Sequence, residues 1–154
     1  YESTGKHCLL HTSSSASDQR VTARMRLSEW SADESNQRIG LIGRYQDEDT
    51  YVAAFIDHEV ETARIMVLHP ELPSGFDVVA RSDDLDVQAM EGEWITLELE
   101  LDGQTLRLWL GEGDERRLVA AALDEFSGET RTGPGAAGVY ARRQAMEFDD
   151  FEVR

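Results

Sequence analysis

An antiparallel β-sandwich is the fold class this sequence predicts, and three features carry the prediction. Apolar residues recur at every second position along most of the chain. Short runs rich in Gly, Pro and Asp interrupt that alternation at regular intervals. No stretch has the 3.6-residue apolar spacing of an amphipathic helix; residues 83–92 offer no more than a short turn. Roughly ten short strands of this kind stack as two sheets, burying their inner faces against each other and leaving the outer faces polar. The expectation is an all-β, two-sheet antiparallel sandwich of the jelly-roll type.

The elements follow in order. HCLLHT (7–12) is the first strand. The loose run Ser13-Ser14-Ser15-Ala16-Ser17 then makes a loop. In RVTARMRL (20–27), Val21, Ala23, Met25 and Leu27 point one way and Arg20, Thr22, Arg24 and Arg26 the other. Strands are expected at RIGLIGRY (38–45), TYVAAFID (50–57), ARIMVLH (63–69) and FDVVARS (76–82), the last two separated by the turn from Pro70 to Gly75. In EWITLELEL (93–101), Ile95, Leu97, Leu99 and Leu101 alternate with Trp94, Thr96, Glu98 and Glu100. Asp102-Gly103 is hairpin-turn chemistry, and TLRLWL (105–110) returns with Leu106, Leu108 and Leu110 inward and Thr105, Arg107 and Trp109 outward. Gly111-Glu112-Gly113-Asp114 turns the chain into RLVAAALD (117–124), and Gly133-Pro134-Gly135 leads into AAGVYARR (136–143). EFDDFEV (147–153) is the last strand.

The 154 residues fit a single domain, 1–154, large enough to bury a core without staples. The composition is 40% hydrophobic and 30% charged, which is neither that of a disordered nor of a membrane protein. The formal charge of −16 repels nucleic acid and anionic membranes, so neither nucleic-acid binding nor membrane insertion is expected. A single cysteine, Cys8, excludes an internal disulfide and reads as an inert thiol in an apolar strand. The four histidines show no compact spacing for zinc. There is no nucleophile elbow, phosphate loop or dinucleotide fingerprint. Trp109, on the outward side of its strand beside Arg107, is a candidate sugar-stacking platform, since sheets that bind sugars use exposed rings in this way.

Three blocks stand in a familiar order. They are Gly40-Leu41-Ile42-Gly43-Arg44-Tyr45-x-Asp47-x-Asp49-x-Tyr51, then Gly92-Glu93-Trp94-Ile95-Thr96-Leu97 with Asp102-Gly103, then Gly138-Val139-Tyr140 leading to Phe148-Asp149-Asp150-Phe151-Glu152-Val153. Over about residues 20–154 the chain resembles the concanavalin A-like lectin/glucanase superfamily, closest to the laminin G-like and family 16-like domains of secreted bacterial carbohydrate-active proteins. The resemblance implies a carbohydrate partner, an oligo- or polysaccharide, and a secreted or cell-surface setting, with other domains of the same polypeptide as neighbours. It also implies a structural calcium, for which the carboxylates Asp47/Asp49, Asp83/Asp84/Asp86 and Asp149/Asp150 supply hard oxygen ligands. Arg44 and Tyr51 are the residues the resemblance places on the sheet surface. With Trp109 and Tyr140 they make up the expected ligand-binding set. Arg44 would grip vicinal hydroxyls and the rings would stack on pyranose faces.

The function expected is a non-catalytic carbohydrate-binding module. Two alternatives stand beside it: a glycoside hydrolase or sugar-modifying enzyme of the same fold, and a protein-interaction or structural laminin G-like domain. A retaining hydrolase would need Glu147 and Glu152 brought together, which a regular strand forbids and only a bulge allows.

Overall fold

The computed structural model describes residues 6–11, 16–27, 35–82, 85–124, 132–142 and 146–154, with backbone alone for 6–11 and 27. Among these residues the alternation becomes eleven strands: Lys6–His11 (β1), Gln19–Leu27 (β2), Arg38–Asp47 (β3), Thr50–Asp57 (β4), Thr62–Leu68 (β5), Phe76–Ser82 (β6), Trp94–Asp102 (β7), Thr105–Leu110 (β8), Arg117–Leu123 (β9), Ala136–Arg142 (β10) and Met146–Val153 (β11). They form a six-stranded sheet ordered β1-β10-β3-β4-β5-β6 and a five-stranded sheet ordered β11-β2-β7-β8-β9. Every pairing is antiparallel. The fold class is therefore the one the alternation predicts.

Local chemistry explains the hairpins. Gly103 takes positive φ, which the tight turn from β7 to β8 requires. Asp47 accepts a hydrogen bond from the Asp49 amide at 2.9 Å, closing the turn from β3 to β4.

The core lies between the sheets. Val21, Ala23, Met25, Leu97, Leu99, Leu101, Leu106 and Leu108 from the five-stranded sheet meet Ile39, Leu41, Val52, Ala54, Ile56, Ile65, Val67 and Val139 from the six-stranded one. Each large side chain removed from water contributes about 1.5–3 kcal/mol. A second, smaller cluster occupies the outer face of the six-stranded sheet: Ile42, Tyr51, Ala53, Phe55, Met66 and Tyr140, with Tyr45 and Leu68 packed against it. That face is therefore apolar, where the alternation pointed to a polar outer surface. Gly40 is needed beneath it, because a Cβ there would stand 2.6 Å from the Phe55 Cα.

Register shifts occur in β3, β6, β9 and β11, and the bulges of β3 and β11 break the period-2 rule beside candidate residues. In β3 the residues from Ile42 to Tyr45 oppose only Gly138 to Ala136. Arg44 sits there at φ 51°. In β11 the pairing with β2 shifts between Asp149 and Glu152, and Asp150 takes φ 50°. Each extra residue reverses the facing of every side chain beyond it. Both bulges bear directly on the candidate residues.

Candidate functional site

Strand β2 lies between β11 and β7, so their outward residues form rows across the five-stranded sheet. Glu152 and Glu98 both stand opposite Thr22, one on each side. Two strand spacings separate them, about 10 Å between α-carbons. The short turn Gly113–Glu115 after β8 rises beside this row. Together these elements enclose an open groove of about 390 Å³. Its charged lining is Arg20, Arg116 and Arg154 with Glu98, Glu112 and Glu152; Thr22 and Thr96 add hydroxyls, and Gly111 and Gly113 leave room.

The lining is internally paired. Arg116 Nη1 donates to Glu98 Oε1 at 2.8 Å. Arg20 lies 3.6 Å from Glu98 and 3.3 Å from Glu100. Arg154 Nε donates to Glu152 at 2.8 Å, and the Thr96 hydroxyl donates to Glu112.

Trp109 stands at the edge of this arrangement, opposite Glu98 in the register. Its indole N–H donates to Glu100 Oε2 at 3.2 Å. The Arg116 guanidinium lies over its ring, 4.0 Å from the centroid. The ring is thus half-buried under a cation. Partial burial works to raise the Glu100 carboxyl's pKa, but the Trp109 N–H and the Arg20 and Arg107 guanidinia outweigh it and hold the group below its ordinary value. Trp94, on the same face, is capped in the same way by Arg24 and Arg26 at 5.0 and 5.2 Å.

Arg44 is elsewhere. The bulge turns it inward, where it is fully buried. Its amide donates to Gln19 Oε1 at 2.9 Å and its Nε to the Ser17 carbonyl at 2.6 Å. Nη2 donates to the Gly103 carbonyl, and Nη1 lies 3.5 Å from Asp124 Oδ2. Asp124 in turn accepts from the Thr132 hydroxyl at 2.8 Å. Burial lowers the Arg44 pKa from its ordinary value, against the opposing pull of Asp124, Asp18 and Asp102. Arg44 is a strut between the sheets.

The carbohydrate-binding module CBM66 from Bacillus subtilis superposes with a TM-score of 0.74 at 17% identity, over 99% of this chain and 84% of that one. Chicken galectin 2 superposes at 0.63 and 10% identity, over 98% of both chains. Domains LG4-5 of the mouse laminin α1 chain superpose at 0.63 and 13% identity, over all of this chain and 40% of that one. The fold is a concanavalin A-like, galectin-like β-sandwich. No family model and no curated protein matches the sequence.

The galectin-like sandwich separates the four residues expected to share one surface. Trp109 does not itself line the groove but packs under one of its residues, Arg116. The expectation that Arg44 lies on the sheet surface is corrected: the positive-φ bulge turns it inward, where it is fully buried. Tyr51 and Tyr140 do lie on the outer side of the six-stranded sheet, but at 0% and 1% exposure they are not surface positions. Tyr51 packs on Tyr45 with centroids 5.7 Å apart, and Tyr140 on Phe55 at 5.8 Å. Polar groups border this cluster: Arg38 donates to Asp57 at 2.9 Å, Arg64 lies 3.7 Å from the same oxygen, and Arg38 also lies over the Phe55 ring at 4.9 Å.

The bulge required for a pair of acids in β11 is present. Glu147 and Glu152 share the outer face, but they stand opposite Arg26 and Thr22, four residues apart on β2. That separation is about 13 Å along the strand, against the roughly 5–5.5 Å of a retaining pair.

Among the described residues no three His, Cys, Asp or Glu side chains gather to hold a metal. The carboxylates of Asp47 and Asp149 instead accept hydrogen bonds from nearby amides of their own turns. Asp83 and Asp84 lie outside the described residues, as does the Cys8 side chain.

Sequence reading missed Arg20, Arg116, Arg154 and Glu112 as groove residues. The alternation did mark Arg20, Thr22, Thr96 and Glu98 as outward, but nothing in it brings the turn after β8 beside the end of β11.

Proposed function

We propose that this galectin-like sandwich is a non-catalytic carbohydrate-binding module of a larger secreted protein, with the groove on the five-stranded sheet as its ligand site. The observation that carries the reading is the groove's lining of arginine–carboxylate pairs and threonine hydroxyls beside Trp109. Planar guanidinium and carboxylate groups meet vicinal hydroxyls two at a time. The Trp109 indole backs the groove by holding the Arg116 guanidinium over its ring. The fold likeness supports the reading, since one of its relatives is named as a carbohydrate-binding module and another as a galectin. No helix among the described residues is long and apolar enough to cross a membrane.

A glycoside hydrolase would need a pair of carboxylates flanking a scissile bond. Glu98 and Glu152 face each other across the groove, but each already holds an arginine. Binding without cleavage is the simpler use of that chemistry.

Affinity electrophoresis through gels containing soluble glucans, galactans, xylans, fructans or pectins tests the proposal. The expected result is retardation by at least one polysaccharide, at least halved in Trp109→Ala and Arg116→Ala variants whose melting curves remain cooperative. Equal mobility in every gel would reject it.

A further inference from the structure

The groove's charge balance defines the class of sugar it can hold. Three arginines face three glutamates there, so the lining is formally neutral within a chain of charge −16. Two of the arginines converge on Glu98, and the third is held by Glu152. An incoming carboxylate therefore finds every arginine already neutralised, and reaches a spare N–H only beside a glutamate of its own charge. It would also meet the other two glutamates and the field of the whole chain.

A hydroxyl faces neither obstacle. A guanidinium has five N–H donors and a carboxylate about four acceptor positions. The hydrogen bond from Arg116 to Glu98 uses one of each. A neutral vicinal diol can accept from the spare N–H groups and donate to the spare carboxylate lone pairs without breaking a single ion pair.

We infer that the groove selects neutral polyhydroxylated sugars and rejects uronic acids. The inference rests on the carbohydrate-binding reading above and adds to it the charge class of the ligand.

The test is titration calorimetry with neutral oligosaccharides of glucose, galactose, xylose and fructose, and with oligogalacturonate of matched length. At least one neutral series should bind about tenfold or more tightly than the uronate. Its affinity should change less than about twofold between about 50 mM and 0.5 M salt.

Glu152→Gln supplies the second arm. Its side chain is half exposed, so the fold should tolerate the change. It leaves Arg154 unbalanced, and should raise uronate affinity by about two- to fivefold, narrowing the gap to the neutral sugar.

Uronate binding as tight as neutral binding, or no response to Glu152→Gln, would overturn the inference and leave carbohydrate binding standing. Silence from every sugar would overturn both.

Discussion

Arg44 shows how one residue's conformation decides its role. A non-glycine residue at φ 51° carries a steric cost. What holds it there is a set of partners drawn from three places: the entry to β2, the turn after β7 and the residue following β9. Gly135 completes the arrangement, because a Cβ there would meet the Tyr45 carbonyl oxygen at 2.5 Å. Removing the guanidinium would strand the buried Asp124 carboxylate. We expect Arg44→Ala to cost about 3–5 kcal/mol in a urea titration, most of it from the uncompensated buried charge. A loss below about 1 kcal/mol would mean that Thr132 and neighbouring groups stabilise Asp124 without the arginine. The sequence could not reveal this role. The resemblance implies a surface Arg44, and an arginine at a left-handed position leaves no mark in the period-2 pattern. Tyr51 and Tyr140 were expected at the sheet surface; they are buried instead, because no local pattern tells what covers a side chain. Trp109 was legible as an outward ring because its strand has no bulge before it. Its Arg116 cap comes from beyond a turn, at a separation no local pattern encodes.

At the scale of elements, the strands were largely legible because one buried face per strand imposes a strict alternation. The hairpin of β7 and β8 was the clearest case, with Asp102-Gly103 between two runs of alternating leucines. The pairing of β1 with β10 could not be read in the same way, since more than a hundred residues separate them and no turn fixes their register. The bulge of β11 was likewise visible only as a condition to be met. Asp150 holds its positive φ with its amide donating to Asp149 Oδ1 at 2.9 Å. Glycine adopts that conformation without a Cβ penalty, whereas a β-branched residue strongly resists it. Asp150→Gly should therefore leave the melting temperature within a few degrees of the parent. Asp150→Val should destabilise by about 1–3 kcal/mol. Equal melting curves for the two variants would show that the bulge migrates along the strand.

For the whole molecule, the surplus of acids matters most away from the groove. Arginines crowd the outer face of the five-stranded sheet, where Arg20, Arg26, Arg107 and Arg116 all pair with acids. The remaining surface therefore carries most of the net negative charge. Its self-repulsion opposes the folded state, and added salt screens it over about 10 Å at 0.1 M. The melting temperature at neutral pH should rise by several degrees between about 10 mM and 0.5 M sodium chloride. A fall would show that the exposed ion pairs, each worth only about 0–1 kcal/mol, outweigh the surplus.

The bulge at Asp150 acts as a phase shift in the final strand. Ahead of it Glu147 and Asp149 face water; beyond it Glu152 and Arg154 do so, while Phe151 and Val153 pack toward the core. Pairing the strand without the bulge, every residue kept, would slip the tail by one and turn it over, thrusting Glu152 and Arg154 into oil and leaving Phe151 and Val153 in solvent. The groove would lose one of its walls in the same stroke, so a single inserted residue couples the packing of the sandwich to the existence of its site.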